Sequence, residues 1–325
     1  MTAEPMEQSQ LHSFVCEIMQ ATAVTATEPI QSLWSGYGQI VRIGLQNSAS
    51  AASVIVKHIE PPGLGATNAR GWSGDVSHSR KLRSYEVEAN WYRDWSSQCN
   101  GLSRVPHCFA VESFDRGHVF VLEDLDASGF PHRCGRLSDS QLDACLRWLA
   151  NFHATFLNQS PEGLWQTGTY WHLDTRPDEL AVMQEGPLKQ AASLIDQRLS
   201  GCRFKTLIHG DAKVANFCFG EAEQEVAAVD FQYVGGGCGM KDVAYFLGSC
   251  LSDEECARRE DQCLAVYFEE LGTRVGSSIA ESLEQEWRRL FPWAWADFHR
   301  FLCGWCATHP KLTEYSRRMV QQVLP

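Results

Sequence analysis

Asp211, Asn216 and Asp230 are the residues of this 325-residue chain whose types and spacing best suit chemistry on phosphate. Thr206 to His209, Phe217 to Phe219 and Val226 to Val229 are short, apolar and bounded by turn residues, which predicts three strands around one loop. Gly220 to Gln224 closes the last two strands into a hairpin. In an antiparallel pair the numbers of facing residues have a constant sum, so Phe219 opposite Val226 sets Asn216 beside Val229 and Asp230. An amide oxygen and a carboxylate would then meet at one end of the sheet. That donor set suits Mg²⁺, a hard cation that takes oxygen ligands and keeps substrate phosphates in its shell. Asp211, five residues before Asn216 in the preceding loop, is placed to accept the proton of an attacking hydroxyl. Nucleotide-dependent phosphoryl transfer needs this combination.

The spacing D-x-x-x-x-N followed by D-F resembles the catalytic and metal-binding loops of the protein-kinase-like superfamily. Gly210, where protein kinases carry Arg, gives His209-Gly210-Asp211 and is similar to the small-molecule branch: aminoglycoside phosphotransferases, choline kinases and the ecdysteroid-kinase-like group. Asp230-Phe231-Gln232 and the stretch Asp242 to Leu247 resemble the last group most. Two positions depart from pattern: Gln232 stands where protein kinases have Gly, and Lys213 where the ecdysteroid-kinase-like group often has Trp. The resemblance implies that Lys213 helps neutralise the transferring group, and that Asp242, with His209 as a supporting residue, braces the catalytic loop. Only Phe231 to Lys241 separate Asp230 from Asp242, with glycines at Gly235 to Gly237 and no A-P-E. That leaves no room for the activation segment on which protein kinases dock a peptide, so the acceptor should be a small molecule.

The elements that must position these residues follow. The resemblance implies an α+β fold in two lobes: a small, mainly β N-lobe over 1–122, a hinge at 123–127 and a larger, mainly α C-lobe over 128–325. Leu11 to Met19 predicts a helix, and Trp34 to Leu45 and Ser53 to Ile59 predict strands. Gly36 and Gly38 lie in Ser35-Gly36-Tyr37-Gly38-Gln39, which is either a phosphate-approaching loop or an ordinary hairpin turn. Val54 to Ile59 resembles the strand whose Lys, here Lys57, reaches nucleotide phosphates. Asn68 to Ser79 reads as a loop, followed by a helix from His78 or Lys81 to Trp95. Tyr85 to Tyr92 resembles the family's helix pattern, with Glu88 as the partner of Lys57 and Glu86, on another face, as the competitor. Val119 to Leu125 resembles the hinge strand, where Glu123, Asp124 and Leu125 would meet adenine through backbone groups. Ser138 to Phe156 predicts a capped amphipathic helix carrying His153, read as a core histidine. Asp253 to Leu324 reads as helical and rich in aromatic residues, which in this family wall the acceptor pocket.

Composition removes other classes. A net charge of -12 argues against nonspecific nucleic-acid binding, which draws on clustered Lys and Arg, and is compatible with a cationic acceptor. Met1 to Glu7 is acidic and polar, unlike a secretory signal, and no stretch has the apolar length of a membrane span. The 13 cysteines read as reduced, core-filling thiols of a cytoplasmic protein. Cys303 and Cys306 have redox spacing, but Trp295, Phe298, Leu302 and Trp305 recur at helical intervals around them, predicting a largely buried helix instead. The expectation is therefore an ATP- and Mg²⁺-dependent phosphotransferase acting on a hydroxyl of a small organic molecule. A nucleotide-binding scaffold without turnover is the alternative.

Overall fold

A computed structural model describes residues 7–33, 36–61, 75–114 and 117–324. The chain divides into two compact units, one of Met1–Ser97 with Val105–His132 and one of Gln98–Arg104 with Arg133–Pro325. The first unit thus runs on to His132, and 98–104 pack with the second unit.

In the first unit α1 (Gln8–Met19) precedes a five-stranded sheet of β1 (Ala23–Ser32), β2 (Gly38–Gln46), β3 (Ser53–Ile59), β4 (Cys108–Ser113) and β5 (His118–Glu123), with α2 (Asp75–Asn90) between β3 and β4. Spatial order is β1-β2-β3-β5-β4 and every pairing is antiparallel. Leu11, Val15 and Met19 recur at four-residue intervals on α1, so they share one face. They pack on Val41, Ile43, Val54, Val56, Val119 and Val121. Each such side chain contributes roughly 1.5–3 kcal/mol on burial. That sheet face packs the strand that bears Lys57 against α1.

β1 and β4 were not read from sequence. β1 is mostly exposed and interrupted by Pro29, which has no N–H for a ladder; it is tolerated because β1 lies at the sheet edge. The strand expected from Trp34 starts at Gly38, and Trp34 and Ser35 lie outside the described residues. Most of the Asn68 to Ser79 loop also lies outside them, but 75–79 are helical: α2 begins at Asp75 and ends in a π-helical turn, Trp91–Trp95.

The second unit is mainly helical: α3 (Asp139–Thr155), the short α4 (Pro177–Val182), α5 (Pro187–Gln190) and α6 (Ala192–Ser200), then α7 (Met240–Cys250), α8 (Asp253–Val275), α9 (Ser277–Trp305) and α10 (Glu314–Val323). Two small hairpin-like pairs lie between α6 and α7: β6 (Thr206–Ile208) with β9 (Gly235–Gly237), and β7 (Phe217–Phe219) with β8 (Val226–Ala228). The predicted capping box at α3 is present, Ser138 accepting from the Gln141 N–H and Gln141 from the Ser138 N–H. α3 buries Trp148, Phe152 and Phe156 against the strand pairs, with Trp148 edge-on to Phe217. Cys303 occupies the last turn of α9 and Cys306 its end. Both are free and half-buried rather than largely buried. Burial raises the Cys303 pKa, which keeps it a thiol and disfavours exchange chemistry. Among the described residues no helix is long and apolar enough to cross a membrane.

Candidate active site

The loop from His209 to Asn216 is pinned at both ends. Downstream, the predicted register holds: Phe219 faces Val226, Phe217 faces Ala228, and the Val229 N–H donates to the Asn216 carbonyl at 2.9 Å. Upstream, Gly210 has φ of 79°, and a Cβ there would lie 2.1 Å from the Tyr233 carbonyl oxygen. No residue with a side chain fits, which explains the glycine in His209-Gly210-Asp211. Asp242, in the first turn of α7 and fully buried, accepts from the backbone N–H groups of His209 (2.5 Å) and Gly210 (2.9 Å). It does not cap its helix, whose N-cap is Gly239. His153 is buried between Asp242 (3.2 Å) and the Tyr267 hydroxyl (2.8 Å), so this core histidine acts as a prop for the brace. His209 Nδ1 accepts from the Asp211 N–H at 3.3 Å, which leaves the proton on Nε2 for the Val229 carbonyl at 3.0 Å.

The Asp211 carboxylate, 6% exposed, is held by three donors. Lys213 Nζ (2.9 Å) and Asn216 Nδ2 (3.2 Å) donate to Oδ2, and the Tyr245 hydroxyl (3.1 Å) to Oδ1. Burial pushes the Asp211 pKa above the usual carboxylate value; Lys213 opposes this and the like charge of Asp230 adds to it. Burial alone would lower the Lys213 pKa, but the charge of Asp211 and the hydrogen bond to it outweigh that and raise it. Asn216 Nδ2 also donates to the Asp211 carbonyl at 2.8 Å, so its nitrogen is spent and its oxygen is the group left for a cation. Asp230 has φ of 70°, a left-handed conformation that is rare outside glycine, and its Oδ1 accepts from Gln232 Nε2 at 2.9 Å. The departure at Gln232 thus supports the carboxylate beside it. Tyr245 was missed in the sequence although it lies three residues after Asp242 on the same helix. Tyr170, whose hydroxyl donates to that of Tyr245 at 3.2 Å, had no local signal at all.

In the first unit Lys57 Nζ contacts both Glu88 oxygens, at 2.9 and 2.7 Å, with both residues buried. Glu86 points outward and pairs with Arg83. Gly38 is required by packing: it pairs with Ile59, and a Cβ would lie 2.0 Å from the His58 carbonyl oxygen. Gly36, with φ of 74°, has open space where a Cβ would be. Asp124 bonds Arg42 and Ser53, both at 2.7 Å, and these partners hold its pKa down although burial acts to raise it. The Glu123 carboxylate accepts from the His107 N–H at 2.8 Å, and Leu125 is buried. The Glu123 and Asp124 side chains are thus occupied within the unit.

Among the described residues no three His, Cys, Asp or Glu converge on one point. A metal at Asn216 and Asp230 would therefore complete its shell with phosphate and water oxygens, which fits Mg²⁺ and not a closed zinc site.

The ecdysteroid kinase-like family model matches residues 166–277, the segment that holds this loop, the Asp230 turn and α7. No curated protein matches the chain. Among solved structures, an amicoumacin kinase with AMP-PNP and Ca²⁺ is 15% identical, with a TM-score of 0.53, over 90% of this chain and 85% of its own. A choline kinase from Cryptosporidium parvum is 12% identical, with a TM-score of 0.51, over 92% and 87%. At such identity the likeness concerns the fold. The chain has the α+β fold of these kinases, and the superfamily resemblance read from its motifs stands.

Proposed function

We propose that this chain is an ATP-dependent phosphotransferase that moves the γ-phosphate to a hydroxyl of a small organic molecule. The observation that carries the reading is the three-donor hold on Asp211 beside an Asn216 whose amide oxygen alone remains uncommitted. The acceptor oxygen attacks the γ-phosphorus, the bond to the β–γ bridging oxygen breaks, and ADP leaves. The hydroxyl proton passes to Asp211 and then to solvent. A carboxyl whose pKa is raised by burial is the better base near neutral pH. Lys213, already beside Asp211, would shift toward the transferring group as negative charge spreads over it. Lys57, fixed by Glu88, would contact nucleotide phosphates. Asn216 Oδ1 and Asp230 would hold Mg²⁺, which when bound supplies charge neutralisation to those phosphates. The names of the two structural neighbours, kinases of amicoumacin and choline, support a small-molecule acceptor.

Thermal shift with ATP, with and without Mg²⁺, tests the metal assignment: wild type should be stabilised more with Mg²⁺, and Asp230→Ala should lose that increment. Acceptor-dependent ADP release tests the reaction. Nucleotide binding without release for any alcohol tried would favour a non-catalytic scaffold.

A further inference from the structure

Lys311, in the segment between α9 and α10, carries an ammonium that the mechanism above does not use. Its Nζ lies 5.1 Å from the centroid of the Tyr245 ring and 5.9 Å from that of Phe298. Tyr245 is the residue that bonds Asp211 Oδ1, so Lys311 sits over the far side of a ring whose hydroxyl touches the proposed base. Tyr170 and Phe298 pack against the same ring at 5.7 and 4.9 Å, in an aromatic cluster next to Asp211 whose part-exposed member is Tyr170. Among the described residues no carboxylate or carbonyl accepts a hydrogen bond from Lys311 Nζ. It does not pair with Asp211 either: those oxygens are taken by Lys213, Asn216 and Tyr245. Lys213 is the lysine bonded to Asp211, whereas Lys311 feels that carboxylate's charge without bonding it.

A ring face holds an ammonium in place while leaving its N–H donors unspent. Burial lowers the Lys311 pKa, so its charge is poorly solvated and gains when an anion arrives. We propose, resting on the phosphotransferase reading, that Lys311 recognises an anionic group on the acceptor, and that the acceptor is a hydroxy acid. Its hydroxyl lies at Asp211, its apolar body lies against Tyr170, the part-exposed member of the cluster, and its carboxylate pairs with Lys311. The separation of the two ends is about the span of one aromatic ring, because Tyr245 itself bridges the two positions. This reverses the compatibility with a cationic acceptor that the overall charge suggested: the local charge at the site, not the total, governs recognition.

The probes are para-hydroxymethylbenzoate, its methyl ester and para-aminomethylbenzyl alcohol, which share a hydroxyl and a ring and differ in charge. ADP release should favour the acid over the ester by about tenfold or more in kcat/KM, the scale of one ion pair at a partly buried site, with the difference in KM. Lys311→Met should bring that ratio close to one, and Lys311→Glu should make the amino alcohol the preferred substrate. Calorimetric binding of the acid to wild type and to Lys311→Met separates this inference from the reading beneath it. If the acid binds through Lys311 and nothing turns over, acceptor recognition stands and the kinase reading falls. If the ester or amino alcohol turns over as well as the acid, or if Lys311→Met slows all acceptors equally, anion recognition is overturned while the kinase reading survives. If none of the probes binds or turns over, the acceptor class assigned here is wrong. Retained ATP affinity in both variants shows that they are folded.

Discussion

Lys57 and Lys213 each bond a carboxylate, yet the two pairs are built differently. Lys57 and Glu88 have side chains 6% and 2% exposed, and both oxygens of the carboxylate close on one ammonium. Lys213 is 38% exposed and shares Asp211 with Asn216 and Tyr245. In the first pair the carboxylate serves the lysine, locking it on a sheet strand that packs on both neighbours. In the second the surrounding donors serve the carboxylate, and the lysine side chain is the more exposed of the two cations. An enclosed cation suits a ligand that binds unchanged, whereas a held carboxylate beside a more exposed cation suits a group whose charge shifts during reaction.

The largest break in this contrast should be Asp211→Asn. Turnover should fall by about 10²–10⁴-fold, the usual yield of a positioned base, with nucleotide affinity nearly unchanged. Its melting temperature should not drop, because a carboxyl whose pKa is raised by folding is one whose ionised form the fold disfavours. Steady-state kinetics beside thermal denaturation checks both.

Glu88→Gln should behave in the opposite sense. Removing one partner of a buried pair leaves a charge uncompensated and costs about 3–5 kcal/mol, so stability and nucleotide affinity should fall together. Lys57→Met should also lose nucleotide affinity, and Lys57→Met with Glu88→Gln should recover part of the lost stability. Glu86→Gln, exposed and paired only with Arg83, should stay within about 0.5 kcal/mol of wild type. Chemical denaturation of the four proteins, with nucleotide titration, is the measurement.

Asp242→Ala would strand the buried N–H groups of His209 and Gly210, at about 1–3 kcal/mol for each lost partner. Because these groups set the loop and touch no reactant, kcat should fall with KM little changed. Equal loss in both would mean that the brace also shapes the acceptor site.

Among the changes around Asp211 the smallest effect is expected at Lys213→Met, about tenfold in turnover, with a pH signature. Turnover requires the ionised Asp211, so activity falls as pH drops through its raised pKa. Lys213 holds that pKa down against burial; without it the acid limb of the pH–rate profile should move to higher pH. An unmoved limb would detach the two residues from one another.

The loop around Asp211 was legible because its information is local. A strand, a glycine in left-handed conformation, a base and an amide five residues on follow in one stretch, and a two-strand register places Asp230 beside it. Glu88 was separable from Glu86 because a helix turns residues two apart to different faces. Edge strand β1 was not legible, since exposure and Pro29 remove the apolar alternation that marks a strand. The half-exposure of Cys303 and Cys306 was missed for a related reason: helical periodicity marks a face but not where the neighbouring elements stop covering it.

By itself the sequence determined which residues could do chemistry: carboxylates, an amide and lysines at spacings that strands and turns convert into geometry. Only the tertiary structure decided what surrounds that chemistry. Asp211 is joined by Tyr245 and Tyr170, from segments 34 and 41 positions away along the chain, and Lys311 arrives from 100 positions further on. None of these three has a local pattern distinguishing it from an ordinary core aromatic or surface lysine. They come together only where packing brings Tyr170 and Lys311 to Tyr245 and Tyr245 to the carboxylate, because charge and hydrogen bonding act through distance in space and not along the sequence.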